Sequence, residues 1–240
     1  MKRIKLGILL LVFVTVMFSG CGLFSIPYNP VLDYDFTDMQ LVQLQEPVEN
    51  QPVITVYTTL GTFTAMLFPE HAPRTVENFI ERINDGFYEN KPILAVQQDE
   101  YLLTGAYDEL GRQGVTSDGK LIPNELSPDL WPFKGAMLAF SATHGYGDSR
   151  FLIVGSVPFT PEAEAELREA VDMDGNPLLP DELIEAFLEH ENIAAFMGLY
   201  TTFGQIIDGF DVLDELLTIP TQDDSTRPLE EHFIERIVIS

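Results

Sequence analysis

Along this chain the apolar positions change period several times, and each change marks an element. In "VITVYTTLGTFTAMLF" (53–68) two β-rich runs flank Leu60-Gly61, the pattern of a hairpin. "PEHAPRTVENFIERINDGF" then switches to helical spacing, with Val76, Phe79, Ile80 and Ile83 on one side and Gly86 as a stop just beyond. Strand-like runs follow in "PILAV" and "EYLLTGA" and, after a Gly-rich loop, in "AMLAFSA" and "RFLIV". "GFDVLDELL" is again amphipathic, carrying Leu213, Leu216 and Leu217 along one side, and "HFIERIVIS" supplies a last strand. Many short strands with two core helices predict an antiparallel barrel, closed so that no long edge is exposed.

Two stretches do not fit that pattern. Thr160 to about Ala194 holds eleven acids against the single Arg168. Thr160 can cap a helix with Pro161 in its first turn, and Leu167, Ala170 and Val171 share a face. After "DGNP" the pattern repeats with Leu183, Phe187 and Leu188, so 158–194 is expected to be a helical hairpin inserted between two strands. Its role as lid, partner surface or decoration stays open. At the other extreme, Lys2, Arg3 and Lys5 precede the apolar run Leu6 to Phe18, then Ser19, Gly20 and Cys21. That layout predicts an export signal over 1–20, with an uncleaved anchor as the competing reading. Residues 21–51, with Pro27, Pro30 and Pro47 and no sustained period, are expected to be an extended linker, and 52–240 the folded domain.

Charge and cysteine count sharpen this. A net charge of −25 argues against nucleic-acid binding, because phosphates would be repelled over the whole surface. It also disfavours electrostatic adhesion to an anionic membrane, so a tether would be needed. The one cysteine cannot form an internal disulfide. In Phe18-Ser19-Gly20-Cys21 its position resembles a bacterial lipobox, which implies lipid attachment at Cys21 and work on the outer face of the cell membrane.

"FSATHGYGDSRFLI" (140–153) gathers potentially reactive side chains. A nucleophile reading of Ser149 with His144 and Asp148 needs a base in reach, an oxyanion site and a strand–turn–helix elbow, none of which the spacing supplies. His71, His144, His190 and His232 are scattered without paired-ligand spacing, so no metal is expected.

Five segments, "LFPEHAPRTVENFI", "NELSPDL", "GAMLAFSATHGYGDSRFLI", "TTFGQIIDGFDVLDEL" and "RPLEEHFIERIVI", together resemble the cyclophilin-type peptidyl-prolyl isomerases, from about Val53 to Ser240 with the acidic insertion interrupting. The resemblance implies an eight-stranded antiparallel barrel capped by two helices, no cofactor, and a groove that accepts a proline ring. It places the opening stretch on one wall of that groove. It also implies that the catalytic arginine position is occupied by Ala95, in Ile93-Leu94-Ala95. The remaining groove positions fall on Tyr101, Leu102, Thr104, Ser141, Arg150, Leu152, Ala195, Phe196 and Tyr200.

Prolyl isomerisation needs no covalent step. It needs an apolar seat for the ring and donors that favour the twisted amide over the planar one. With Ala95 in place of arginine, Arg150 is the candidate replacement, its alternative being an ion pair with Asp148. Two functions are expected from this. The first is an isomerase of reduced activity assisting the folding of exported proteins, acting as a monomer on Xaa-Pro-containing or unfolded polypeptides. The second is an inactive module of the same fold that grips extended or proline-containing segments as a chaperone or adaptor.

Overall fold

The computed structural model describes residues 34–108, 110–171 and 175–240. The expected hairpin is β1 (Val53–Thr58) and β2 (Gly61–Leu67), followed by helix α1 (Pro73–Asn84). Next come β3 (Lys91–Pro92), β4 (Ala95–Gln97), β5 (Tyr101–Thr104), β6 (Ile122–Pro123), β7 (Ala136–Phe140), β8 (Tyr146–Gly147) and β9 (Arg150–Val154). The insertion contributes α2 (Pro161–Glu169) and α3 (Asp181–Glu189), and the chain continues through β10 (Thr202–Asp208), α4 (Phe210–Leu217) and β11 (Phe233–Ile239). No helix among the described residues is long and apolar enough to cross a membrane.

Nine strands form one curled antiparallel sheet in the order β3-β11-β1-β2-β10-β7-β9-β5-β4, while β6 and β8 pair separately. The count differs from the expected eight because the run 91–97 is broken in two. Its first part bonds to β11 and its second to β5. Ile93 N–H still donates to His232 O and Leu94 N–H to Leu103 O, so the edges of this half-barrel meet through the covalent chain rather than through a ladder between β3 and β4.

Alternation decides what lies inside. Ile54, Val56, Phe63, Val96, Leu102, Met137, Phe151 and Ile153 point inward, onto Val76 and Phe79 from α1 and onto Leu213, Leu216 and Leu217 from α4. Phe79 meets Phe151 edge-on at 5.5 Å and Phe203 at 5.0 Å. Each such large apolar side chain contributes about 1.5–3 kcal/mol by leaving water. Gly209 starts α4 at φ 86°, and a Cβ there would stand 2.7 Å from Thr62 O, so both the turn and the packing of α4 on β2 call for glycine.

The insertion is the expected hairpin. Thr160 Oγ1 accepts the Ala163 N–H at 3.2 Å, capping α2, and Arg168 joins the helices through Glu164 and Glu185. Its apolar side makes a second core, in which Leu183, Ile184 and Phe187 pack with Trp131 and Phe133. Ala170 and Val171 lie beyond the end of α2 rather than on its face, Val171 bridging to Pro177.

The expected linker over 21–51 requires correction over 34–43, where the chain is packed, while 44–50 stays largely exposed. Tyr34, Phe36, Met39 and Leu41 join the second core, with Phe36 stacked on Trp131 at 6.2 Å. Gln43, 4 % exposed, accepts the Trp131 N–H and donates to Trp131 O at 2.8 Å and Gln205 Oε1 at 3.0 Å. A buried amide placed on a backbone N–H and C=O in this way is a specific fastening, not a passing contact. The signal segment 1–20 and Cys21 lie outside the described residues.

Candidate functional site

Strand register sorts the candidate residues onto two faces. Opposite residues share a face: Ala95 pairs with Leu103, Leu103 with Leu152, and Leu152 with Leu138. The neighbouring rows on this outer face are Gln97, Tyr101 and Val154 on one side, and Phe140 with Arg150 on the other. The segment returning from the insertion covers the rows with Ile193, Ala195, Phe196 and Tyr200.

The result is an aromatic line over an apolar floor. Tyr101 lies 5.6 Å from Phe196, Phe196 meets Tyr200 edge-on at 5.4 Å, and Tyr200 is 6.1 Å from Phe140. The floor is no open slot, because Leu152 is 3 % and Leu138 1 % exposed. Tyr101, Leu103, Phe140, Phe196 and Tyr200 are only partly buried, and they form the surface a ligand would meet. Burial lifts the Tyr200 phenol to about 12, with nearby Tyr101 adding to the effect. Tyr101 is raised by burial and, secondarily, by Glu100. Both hydroxyls are therefore neutral donors at physiological pH, and neither is hydrogen-bonded among the described residues.

Tyr101, Leu152, Ala195, Phe196 and Tyr200 are thus brought together. Leu102 and Thr104 are not, which corrects their expected place in the groove. Leu102 sits in the interior core, and Thr104, fully buried, donates its hydroxyl to Pro92 O at 2.9 Å. Alternation puts Leu103 on the outer face in their stead. Both Leu102 and Leu103 are apolar, so only the register separates them. Phe140 and Gln97 were missed for the same reason. Ser141 is nearly buried, its Oγ accepting the Thr143 N–H at 3.2 Å.

Arg150 stands on the outer face but is not free. Its guanidinium donates to Asp148 through Nη2 at 2.6 Å and Nε at 3.0 Å, and through Nη1 to Gly111 O at 3.0 Å and Arg112 O at 3.3 Å. It also lies 5.1 Å from the centroid of Phe140. Ala95 is two strand spacings across and two residues along the sheet, about 12 Å away. The guanidinium is turned to Asp148 and the 111–112 carbonyls, so Arg150 does not reach over it in this arrangement.

Ser149 is equally committed: 1 % exposed, it donates to Gly105 O at 2.8 Å and accepts the Val115 N–H at 2.9 Å. Together with Asp148 held by Arg150, this removes the nucleophile reading. The four histidines sit apart, His71 near Ser127 and Asp129, His232 by Thr59, His190 against Phe133, and His144 in an exposed turn. A crevice on the inner side of β9, lined by Thr75, Asn78, Tyr88 and Asp148, has room for no more than a water.

The model of the cyclophilin type peptidyl-prolyl cis-trans isomerase family matches residues 53–239. The chain belongs to that family. Isomerase is thus its enzyme class. Among relatives of this cyclophilin, a candidate isomerase of Staphylococcus epidermidis is 27 % identical over 195 residues, covering 80 % of this chain and 94 % of that one. A candidate bifunctional phosphatase/isomerase of Streptococcus pyogenes is 28 % identical over 206 residues, 84 % of this chain but only 42 % of the relative. The fold is shared with a Cryptosporidium parvum cyclophilin-type isomerase, with a TM-score of 0.60 at 22 % identity, covering 79 % and 97 % of the two chains. That protein was also crystallised in the presence of the dipeptide Ala-Pro, and this second structure has the same TM-score and identity, with 78 % and 98 % coverage.

Proposed function

We propose that this cyclophilin is a peptidyl-prolyl isomerase of reduced turnover that acts on Xaa-Pro segments of exported polypeptides and is held to the outer face of the membrane by a lipid on Cys21. The observation that carries the reading is the outer face itself, which offers partly buried aromatic rings to a prolyl ring and, in its strands, no free cation. Planar peptide bonds resist rotation by roughly 20 kcal/mol. An apolar seat excludes water from the amide, and a donor aimed at the twisted nitrogen lowers the barrier only if it binds that state better than the planar one. On the face itself the unpaired donors are the phenols of Tyr101 and Tyr200, and a neutral donor is about half as strong as a charged one. Loss of a preorganised charged donor costs about 3 kcal/mol, or roughly a hundredfold in rate. The structure of the Cryptosporidium relative determined with Ala-Pro supports the ligand class.

Exchange of an Xaa-Pro peptide, followed by a protease-coupled assay, tests this. Acceleration above background at micromolar protein is expected, and Ala95→Arg should raise kcat/KM by about tenfold or more by restoring the charged donor. Ala95 and the locked Arg150 also favour a second reading, a module that grips proline segments without turning them. Saturable peptide binding with no acceleration would select it. The mass of the mature N-terminus tests the anchor.

A further inference from the structure

Ten of the thirteen Lys and Arg lie among the described residues. Seven of these are held by carboxylates or lie on aromatic rings. Arg74, Arg112 and Arg227 have no ion pair within 4 Å and no ring contact among the described residues. The charge of Arg112 reaches only Asp108, whose carboxyl is held low, against desolvation, chiefly by backbone N–H groups and, to a lesser degree, by Arg112. Arg74 opens α1, where its N–H is on the Glu125 carboxylate. Arg227 belongs to the loop whose Thr226 O accepts the Val96 N–H, in the plane of the sheet edge. Arg112 is exposed, and its loop is the one that the committed side chains of 148–150 hold down.

The loop from Gly105 to Val115 is fixed at several points. Ser149 Oγ ties its two ends, and Arg150 Nη1 takes the carbonyls of Gly111 and Arg112 at its tip. Inside the loop, Asp108 accepts the N–H groups of Leu110, Arg112 and Gln113. Gly114 passes so close to Asp148 that a Cβ would fall 1.8 Å from its Oδ1. Fixed in this way, the tip rests on Leu94, since a Cβ at Gly111 would be 3.2 Å from Leu94 Cδ1. Leu94 immediately precedes Ala95. The exposed Arg112 side chain therefore springs from a backbone held against Leu94, next to the place where a cation is missing, by a buried ion pair whose arginine lies beside Phe140.

We propose that Arg112 supplies the charged donor that Ala95 lacks, and that the Asp148–Arg150 pair is the positioning device that presents it. This rests on the isomerase reading above. No bond is made or broken and no proton moves; the guanidinium donates to the prolyl amide as it leaves planarity and releases it afterward. Delivered from a loop rather than a strand, the donor is less preorganised, which accords with a reduced turnover.

Xaa-Pro exchange assays on the full domain give the test. Arg112→Gln should lower kcat/KM by 10- to 100-fold with peptide Kd and thermal midpoint unchanged, Arg112→Lys should keep part of the rate, and Arg227→Gln should keep all of it. Arg150→Met should speed amide exchange at Tyr107 to Gln113 and reduce kcat, yet add no further loss of kcat in the Arg112→Gln background, as two residues acting through one step must. A separate structural role would make the two losses add. Wild-type acceleration that survives Arg112→Gln, or that is lost with Arg227→Gln alone, overturns this proposal by itself. A wild-type chain that gives no acceleration overturns the isomerase reading as well.

Discussion

Tyr200 packs over the floor made by Leu152 and Leu138, edge-on to Phe196, and burial holds its phenol protonated up to about pH 12. In the unfolded chain the same group ionises near 10. Between those values the folded state binds more protons than the unfolded one, so stability falls as pH rises; below pH 10 the full contribution is present. Tyr34 in the N-terminal strap is raised to about 12 by burial too and adds a loss of the same sign. Urea midpoints should therefore be level from pH 7 to 9.5 and drop by pH 11. Tyr200→Phe should recover part of that drop, up to roughly 2–3 kcal/mol near pH 12. An alkaline drop of the same size in Tyr200→Phe and wild type would refute the assignment. The same substitution reports on function: if Tyr200 only seats the proline ring, the phenylalanine variant keeps kcat at pH 7.5.

At the scale of elements, what was legible in the sequence had a period or a cap. α1, α4 and the insertion helices announced themselves by helical spacing and by Thr160-Pro161. The hairpin of β1 and β2 did so by alternation. The strap 34–44 had neither, because Tyr34, Phe36, Met39 and Leu41 bury themselves one by one around Trp131 along an irregular path. In β5 the signal was present but ambiguous: a strand covered on both faces reads as a continuous apolar run, so Leu102 and Leu103 could be assigned to faces only by pairing. The partner of Arg150 was open for a different reason, since two alternatives of comparable reach existed and only packing chose Asp148. The strap carries its own prediction. Gln43→Ala leaves the buried N–H of Trp131 without its partner, while the Trp131 C=O keeps the Phe133 N–H, and should cost about 1–3 kcal/mol. It should expose 34–44 to limited proteolysis while leaving the Xaa-Pro exchange rate within twofold. A rate that falls together with stability would mean that strap and outer face are one cooperative unit.

For the whole molecule, the balance of −25 sets the approach of any substrate. The acidic insertion runs directly into Ile193 to Tyr200, the wall over the apolar floor, so its field extends to the site without needing a contact there. Such a field raises the encounter rate of cationic segments and lowers that of anionic ones, within a Debye length of about 8 Å at physiological salt. Two peptides identical at Xaa-Pro but flanked by Lys or by Glu should consequently differ in kcat/KM by about tenfold near 10 mM salt, the Lys peptide being faster. By 0.5 M salt the ratio should approach one, with kcat for each peptide unchanged throughout, because screening acts on the encounter and not on the twisted amide. A preference that persists at high salt would place a carboxylate in direct contact with the flank and shift the explanation from the molecule's field to a local site.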